Sequence, residues 1–373
     1  MSERSSKIPS ERLRESAPEV AASFRAMRAA IEKAGPLDYA TREYLMLAAF
    51  AAAGFEESFR IHAERAVKRG LSKAAMQQAV LVPFGATTAM LPVVRALEWI
   101  DEAFARHAPQ IHEVEVADGA VIGAGRTGDG PPLLLVHGAT SDRSRWRPVL
   151  PALEARFTVY AMDRRGRGAS TDAPQHSLER EVADVAATVD SIGGPVDVIA
   201  HSYGAICALE ATRATRHMRR LVLYEPPIAV PGEDGAMLAA TIEEIERHLS
   251  RNDPGAALTA FYSRNLRMPE AEIARLQSLP SWLARLAIAP TLPRELREAR
   301  RYRLDAAAFR DYTIPTLLVL GGDSAPRHKE ATALLQSALA GSKLAVLAGH
   351  KHVAMDTGAE LFAATVLDFF ARN

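Results

Sequence analysis

The feature that most constrains this chain is a serine set between small residues where an apolar run meets a helical one. Pro195-Val196-Asp197-Val198-Ile199 reads as a buried strand, and Ala205-Ile206-Cys207-Ala208-Leu209-Glu210-Ala211 reads as a helix. Between them stand Ala200-His201-Ser202-Tyr203-Gly204. A strand that becomes a helix in so few residues must turn tightly, so side chains two places either side of the serine have to be small. Such a turn lifts the Ser202 hydroxyl above the carboxyl end of a parallel sheet, exposed for nucleophilic attack. Ala200 stands where glycine is usual, a mild departure. Small-x-Ser-x-Gly also arises by chance, so its weight comes from the pattern around it.

That pattern has two rhythms. From Pro18 to about His107 apolar residues recur at three- and four-residue spacing, which predicts helices over Glu19–Lys33, Tyr39–Ala53, Glu57–Arg69, Lys73–Leu81 and Pro92–Arg106. Asp38 and Ser72 stand where N-caps belong, and Gly70 where a helix should stop. From Ile111 short apolar runs alternate with amphipathic helices. The runs are His112–Val116, Val121–Gly123, Leu133–His137, Phe157–Met162, Val196–Ala200, Leu221–Tyr224, Thr316–Leu320 and Leu344–Leu347. Eight strands with helices between the later ones predict a mostly parallel sheet covered on both faces. The expected organisation is an all-α domain over 1–108 and an α/β domain over 109–373, joined near Ala108-Pro109-Gln110. A helical, arginine-rich insertion at about 226–312 should cap the carboxyl ends of the strands, where open α/β sheets bind ligands.

Composition removes several classes. Lys plus Arg and Asp plus Glu each number 45, so no net field recruits nucleic acid or an anionic membrane. Cys207 is the only cysteine, which excludes an internal disulfide, a CxxC pair and a cysteine-rich zinc site. Met1–Arg14 has no apolar core of a signal peptide, and the most apolar stretch, Leu45–Phe55, is about half a membrane span. A cytoplasmic protein with no cofactor and no metal is the expectation.

Ser202 needs a base, an orienting acid and an oxyanion site. Leu344-Ala345-Val346-Leu347-Ala348-Gly349 runs into His350-Lys351-His352, and Thr316–Gly322 runs into Asp323. The order Ser, Asp, His therefore holds, each residue lying just past a strand. His352, followed by Val353 and a helix-starting run, is preferred as base over His350, which lies nearer the strand end. Asp323 is preferred as acid over Glu225, which follows the sixth strand. Gly-Gly-Asp-Ser is also ordinary turn chemistry. The backbone N–H groups of Tyr203 and Ala139 are the expected oxyanion donors. His137 reads as a structural hydrogen-bonding residue, and His201 as pointing away from the pocket. Phe261, Tyr262 and Trp282 are candidate pocket walls.

Together with His137-Gly138 and Asp163-Arg164-Arg165-Gly166-Arg167-Gly168-Ala169-Ser170, these residues resemble the α/β-hydrolase superfamily from about Ile111 to Asn373. The resemblance implies hydrolysis through a serine nucleophile and leaves the substrate open. Leu37–Ala103, through Thr41-Arg42-Glu43 and Glu56–His62, resembles carboxymuconolactone decarboxylase and alkyl hydroperoxide reductase D. The redox branch has cysteines seven and four places before the histidine. Phe55 and Ser58 occupy those positions here, so disulfide chemistry is absent. Glu43 and His62 remain, either as a proton relay or as a buried structural pair.

The resulting expectation is a hydrolase of an ester or lactone of a small carboxylic compound, assembled as a homo-oligomer through its helical domain. Two alternatives stand beside it. One is a bifunctional decarboxylase and enol-lactone hydrolase of aromatic-acid degradation. The other is a non-catalytic oligomeric ligand-binding protein.

Overall fold

The computed structural model describes residues 9–230, 235–278 and 281–372, so residues 231–234 and 279–280 of the expected cap lie outside the described residues. The chain divides into two compact units, residues 1–107 and 108–373.

The first unit holds α1 (Pro9–Ser16), α2 (Pro18–Lys33), α3 (Tyr39–Ala53), α4 (Glu56–Lys68), α5 (Lys73–Leu81) and α6 (Met90–Arg106). Its caps follow from local chemistry. Asp38 accepts the Thr41 N–H at 2.7 Å at the start of α3, and Ser72 accepts the Ala75 N–H at 3.2 Å at the start of α5. Leu47, Phe59, Met76, Val80, Trp99 and Ile100 form the core that α3 to α6 enclose. The helix α1 was not among the expected elements, because its residues are almost wholly polar.

The second unit is built on eight strands: β1 (Gln110–Glu115), β2 (Val121–Thr127), β3 (Pro132–Val136), β4 (Thr158–Met162), β5 (Val196–His201), β6 (Met218–Tyr224), β7 (Thr316–Gly321) and β8 (Lys343–Leu347). They lie in the order β1-β2-β4-β3-β5-β6-β7-β8. β2 pairs antiparallel with β1 and β4, and every other pairing is parallel. Strand alternation sends Leu134 and Val136 into one apolar layer and Leu133 and Leu135 into the opposite one. Helices Leu178–Ile192 and Tyr203–Ala211 cover the first face, and Ala359–Arg372 covers the second.

The parallel strands place their carboxyl ends together. Val136, Ala200 and Leu223 lie side by side in register, so the loops after β3, β5 and β6 emerge at one edge. The helices between Ala236 and Arg301 form the insertion between β6 and β7, with an apolar core of their own around Ile245, Leu258, Phe261, Tyr262 and Leu292.

Candidate active site

Ser202 sits between the last residue of β5 and the first residue of helix Tyr203–Ala211. Its backbone is at φ 53° and ψ −126°, a left-handed conformation rare for a residue with a side chain. The surroundings enforce it. The Ser202 N–H donates to the Tyr224 carbonyl at 2.9 Å, fixing the turn to the end of β6. A Cβ at Gly204 would lie 2.3 Å from the His137 carbonyl oxygen, and one at Gly138 would lie 2.8 Å from Ser202 Cβ. Only glycine lets the helix start and the loop after β3 approach each other so closely. Ala200 is fully buried between β3 and β6, where its methyl group is accommodated.

The carboxylate that reaches the imidazole is that of Glu225, not of Asp323. Glu225 Oε2 accepts from His352 Nδ1 at 2.6 Å. Its Oε1 accepts from the Gly321 N–H at 2.8 Å and the Ser324 hydroxyl at 2.5 Å. Glu225 follows β6 directly, holds φ at 45°, and reaches across to the end of β7. There it occupies the place an acid following β7 was expected to fill. The reason Asp323 fails is the turn itself. The Ser324 N–H closes back onto the Gly321 carbonyl at 3.1 Å, which faces Ser324 inward and leaves Asp323 exposed. Burial would raise the Glu225 carboxyl, but the hydrogen bond from His352 and the nearby imidazoles hold it below the ordinary carboxylate range.

Three more groups hold His352 that sequence reasoning did not place there. His201 Nε2 donates to the His352 carbonyl at 2.8 Å, with ring centroids 4.6 Å apart. His201 is among the residues of the cavity wall, and its ring is buried against the loop that carries His352. Tyr224 donates its hydroxyl to the Lys351 carbonyl and accepts the Ala354 N–H at 3.1 Å. His328 stacks on His352 at 4.7 Å and 23°. Burial and the neighbouring His352 push His328 down to about 3, so its ring is neutral. The other histidine considered as base, His350, turns aside to Thr357 Oγ1 at 2.9 Å. Glu225, His328 and His352 offer three ligand atoms within 4.8 Å of one another, a spacing that fits one cation, which would compete for the His352 ring.

Ser202, His352, His328, Ala139 and Tyr203 line one cavity of about 1080 Å³ between the strand ends and the cap. Tyr203 opens its helix, so its N–H is among the donors with no intrahelical partner. Phe261 and Tyr262 form part of the wall, while Trp282 stands behind Tyr262, ring centroids 6.3 Å apart, in the core of the cap. The loop after β3 is held from beneath. Fully buried His137 donates from Nδ1 to the Gly138 carbonyl at 2.8 Å and accepts the Arg164 N–H at 3.1 Å. Burial and the adjacent Arg164 keep this ring neutral. The Arg164 guanidinium donates to the carbonyls of His137 and Gly138 at 2.9 and 3.0 Å, and to Glu181 and the cap residue Glu295 at 2.6 and 3.1 Å.

In the helical unit, Glu43 and His62 do meet, Oε2 to Nδ1 at 2.7 Å, with Arg65 at 3.8 Å from the other carboxylate oxygen. Burial opposes ionisation of Glu43, but His62 and Arg65 hold its carboxyl below the usual range.

A parallel α/β sheet with a serine on the strand-to-helix turn, beneath a helical cap, defines the class. Residues 133–365 match the Alpha/beta hydrolase family, and residues 18–102 match the Carboxymuconolactone decarboxylase family. The chain belongs to the α/β-hydrolase family and carries a carboxymuconolactone decarboxylase-like unit before it. It is 29% identical over 249 residues to a pimeloyl-[acyl-carrier protein] methyl ester esterase of Neisseria meningitidis, a match covering 63% of this chain and 91% of the relative. It is 27% identical over 257 residues to the 2-(acetamidomethylene)succinate hydrolase of Mesorhizobium japonicum, covering 65% and 88%. An α/β hydrolase from Sphaerobacter thermophilus superposes with a TM-score of 0.61 at 31% identity, over 69% of this chain and all of that one. Among the described residues no helix is long and apolar enough to cross a membrane.

Proposed function

We propose that this hydrolase cleaves an ester or lactone of a small carboxylic compound through an acyl-enzyme on Ser202. The Ser202 hydroxyl attacks the carbonyl carbon and His352 takes its proton. Glu225 accepts the Nδ1–H of His352, selects the tautomer with a free Nε2, and offsets the charge of the imidazolium that forms. The N–H groups of Tyr203 and Ala139 stabilise the tetrahedral oxyanion, each worth about 2.7–4 kcal/mol of barrier. His352 then protonates the leaving oxygen, and water, deprotonated by the same ring, releases the acid. The observation that carries this reading is the Glu225–His352 pair at 2.6 Å opening on the cavity that Ser202 lines. Among its relatives an esterase fits the ester chemistry, and a hydrolase of 2-(acetamidomethylene)succinate fits a small carboxylic substrate. Ser202→Ala should abolish p-nitrophenyl acetate turnover and fluorophosphonate labelling without unfolding the chain. Turnover that persists would retire the nucleophile.

The helical unit is read as an assembly scaffold that joins copies of this chain. The supporting observation is α2, of which Ala21 alone is buried and which exposes four large apolar side chains on one stripe. The Glu43–His62 pair keeps open a proton relay there, and assay of carboxymuconolactone decarboxylation in a Glu43→Gln variant would test it.

A further inference from the structure

The walls of the cavity carry a charge imbalance that ester hydrolysis alone does not require. Its described lining includes eight arginines and only two carboxylates, Glu295 and Asp356. Glu295 is engaged by Arg164 and Arg167 beneath the loop after β3, and Asp356 by Arg145. Arg264 and Arg301 of the lining pair with Glu244 and Glu298, so the excess rests on Arg267, Arg285, Arg300 and Arg303, which have no carboxylate partner among the described residues. A cavity with low-dielectric walls and one sign of charge concentrates ligands of the other sign.

Two of these arginines lie against the loop that carries Ala139. Arg145 follows it in sequence and is buried at 8% exposure. Its Nη1 reaches Asp356 Oδ2 at 2.7 Å, whereas its Nε and Nη2 have no partner. Arg285 comes from the cap helix Ser281–Ile288. Its Nη1 donates to the Thr140 carbonyl at 3.2 Å and the Tyr262 hydroxyl at 2.9 Å, and its buried Nε has no partner. No acid pairs with Arg285 among the described residues. Guanidinium N–H groups taken out of water and left unpaired are costly unless something else accepts from them. A planar fork of N–H donors matches a carboxylate better than any neutral group.

We infer that Arg145 and Arg285 form a carboxylate subsite beside Ser202, so that the substrate is a monoester or lactone of a dicarboxylic acid whose second carboxylate stays ionised. The inference rests on the hydrolase reading for its chemistry and on the arginines alone for its selectivity. One guanidinium comes from the core and the other from the cap, so the anion bridges the two and seats the cap over the reacting carbonyl. Of the remaining arginines of the lining, Arg267, Arg300 and Arg303 act at longer range, drawing the anion in.

The test compares p-nitrophenyl hydrogen glutarate with p-nitrophenyl pentanoate, which differ in the terminal charge. The anionic ester should be preferred in kcat/KM by about tenfold or more, mainly through KM. Arg145→Gln and Arg285→Gln should each cut that preference by about tenfold, and Arg285→Lys should return part of it. Glutarate should inhibit the wild type competitively and the Gln variants weakly. Equal kcat/KM for the two esters, or a preference that both Gln variants retain, overturns the subsite. If Arg145→Gln fails to fold, Arg285→Gln still decides. If neither ester turns over and Ser202 resists fluorophosphonate, the hydrolase reading falls. Calorimetry of glutarate on the Ser202→Ala chain then reads the subsite by itself, where heat lost in Arg285→Gln upholds it and no heat in the parent overturns it.

Discussion

Glu225 gives one carboxylate oxygen to His352 Nδ1 at 2.6 Å and the other to the Gly321 N–H at 2.8 Å, so a single side chain ties β6, β7 and the loop after β8. All its acceptor capacity on the β7 side is spent on backbone and Ser324, which leaves the carboxylate no freedom to leave the imidazole. Glu225→Gln should therefore lower kcat on p-nitrophenyl acetate by about 10⁴, the effect expected when the orienting acid of a triad becomes an amide that stabilises the wrong tautomer. Asp323→Asn, at an exposed turn position, should stay within about twofold, since surface changes of this kind shift energies by about 0.5 kcal/mol or less. Steady-state kinetics on both variants decide the matter, and a large loss in Asp323→Asn alone would return the acid to β7.

What could be read ahead of the structure was set by local pattern. Strands such as Pro132–Val136 and Val196–His201 announce themselves because both faces are buried and the run is mostly apolar, with Asp197 the one acid inside it, paired with Arg219 and Arg220. The N-caps Asp38 and Ser72, and the turn at Ser202, need only their immediate neighbours. The acid was misplaced because two carboxylates follow adjacent strands, and only the direction of the Gly321–Ser324 turn separates them. The roles of His328, and of Arg164 within the motif at 163–170, are invisible in the sequence for a related reason. Each acts on a partner from a distant part of the chain, His328 on His352 by stacking and Arg164 on Glu295 across the cap.

The Glu225 carboxyl also makes stability depend on pH in a definite sense. In the folded chain it is held below its ordinary value, so the unfolded chain binds more protons as the medium is acidified. Its contribution is complete above the unfolded carboxylate value, about 4.3, and drains away as pH falls through the lower folded value. Urea midpoints measured between about pH 7 and about pH 3 should fall less steeply for Glu225→Gln than for the parent. Equal slopes would show that the pair contributes nothing to acid sensitivity.

Arg164 joins the cap to the loop that carries the proposed oxyanion donor Ala139. Replacing Arg164 by Met takes one of two partners from each of the buried acids Glu181 and Glu295, which keep His176 and Arg167, and should cost about 3 kcal/mol, the lower end for breaking a buried pair. It also frees the carbonyls of His137 and Gly138, so kcat should drop by about tenfold or more while KM changes less. The half-exposed pair Arg297–Glu246 is the control, where Arg297→Met should shift stability by about 1 kcal/mol at most. Thermal unfolding together with kcat and KM separates the two roles. A loss of stability with kcat unchanged would confine Arg164 to holding the cap.

Along α2, Val20, Phe24, Met27 and Ile31 are exposed by 57%, 50%, 50% and 52%. Their spacing of four, three and four residues puts them on one stripe with the period of a helix–helix seam. Four large apolar side chains half open to water on one helix form the kind of patch that a monomer seldom keeps. If copies of this chain cover it, light scattering should return a multiple of the chain mass. The double variant Phe24→Glu, Ile31→Glu should move the mass toward one chain, because burying two carboxylates in an apolar seam is costly unless they are paired. Ester hydrolysis should persist in that variant, since α2 belongs to the other compact unit from Ser202 and His352. A parent that scatters as a single chain, or a variant that keeps the parent's mass, would remove α2 from any role in assembly.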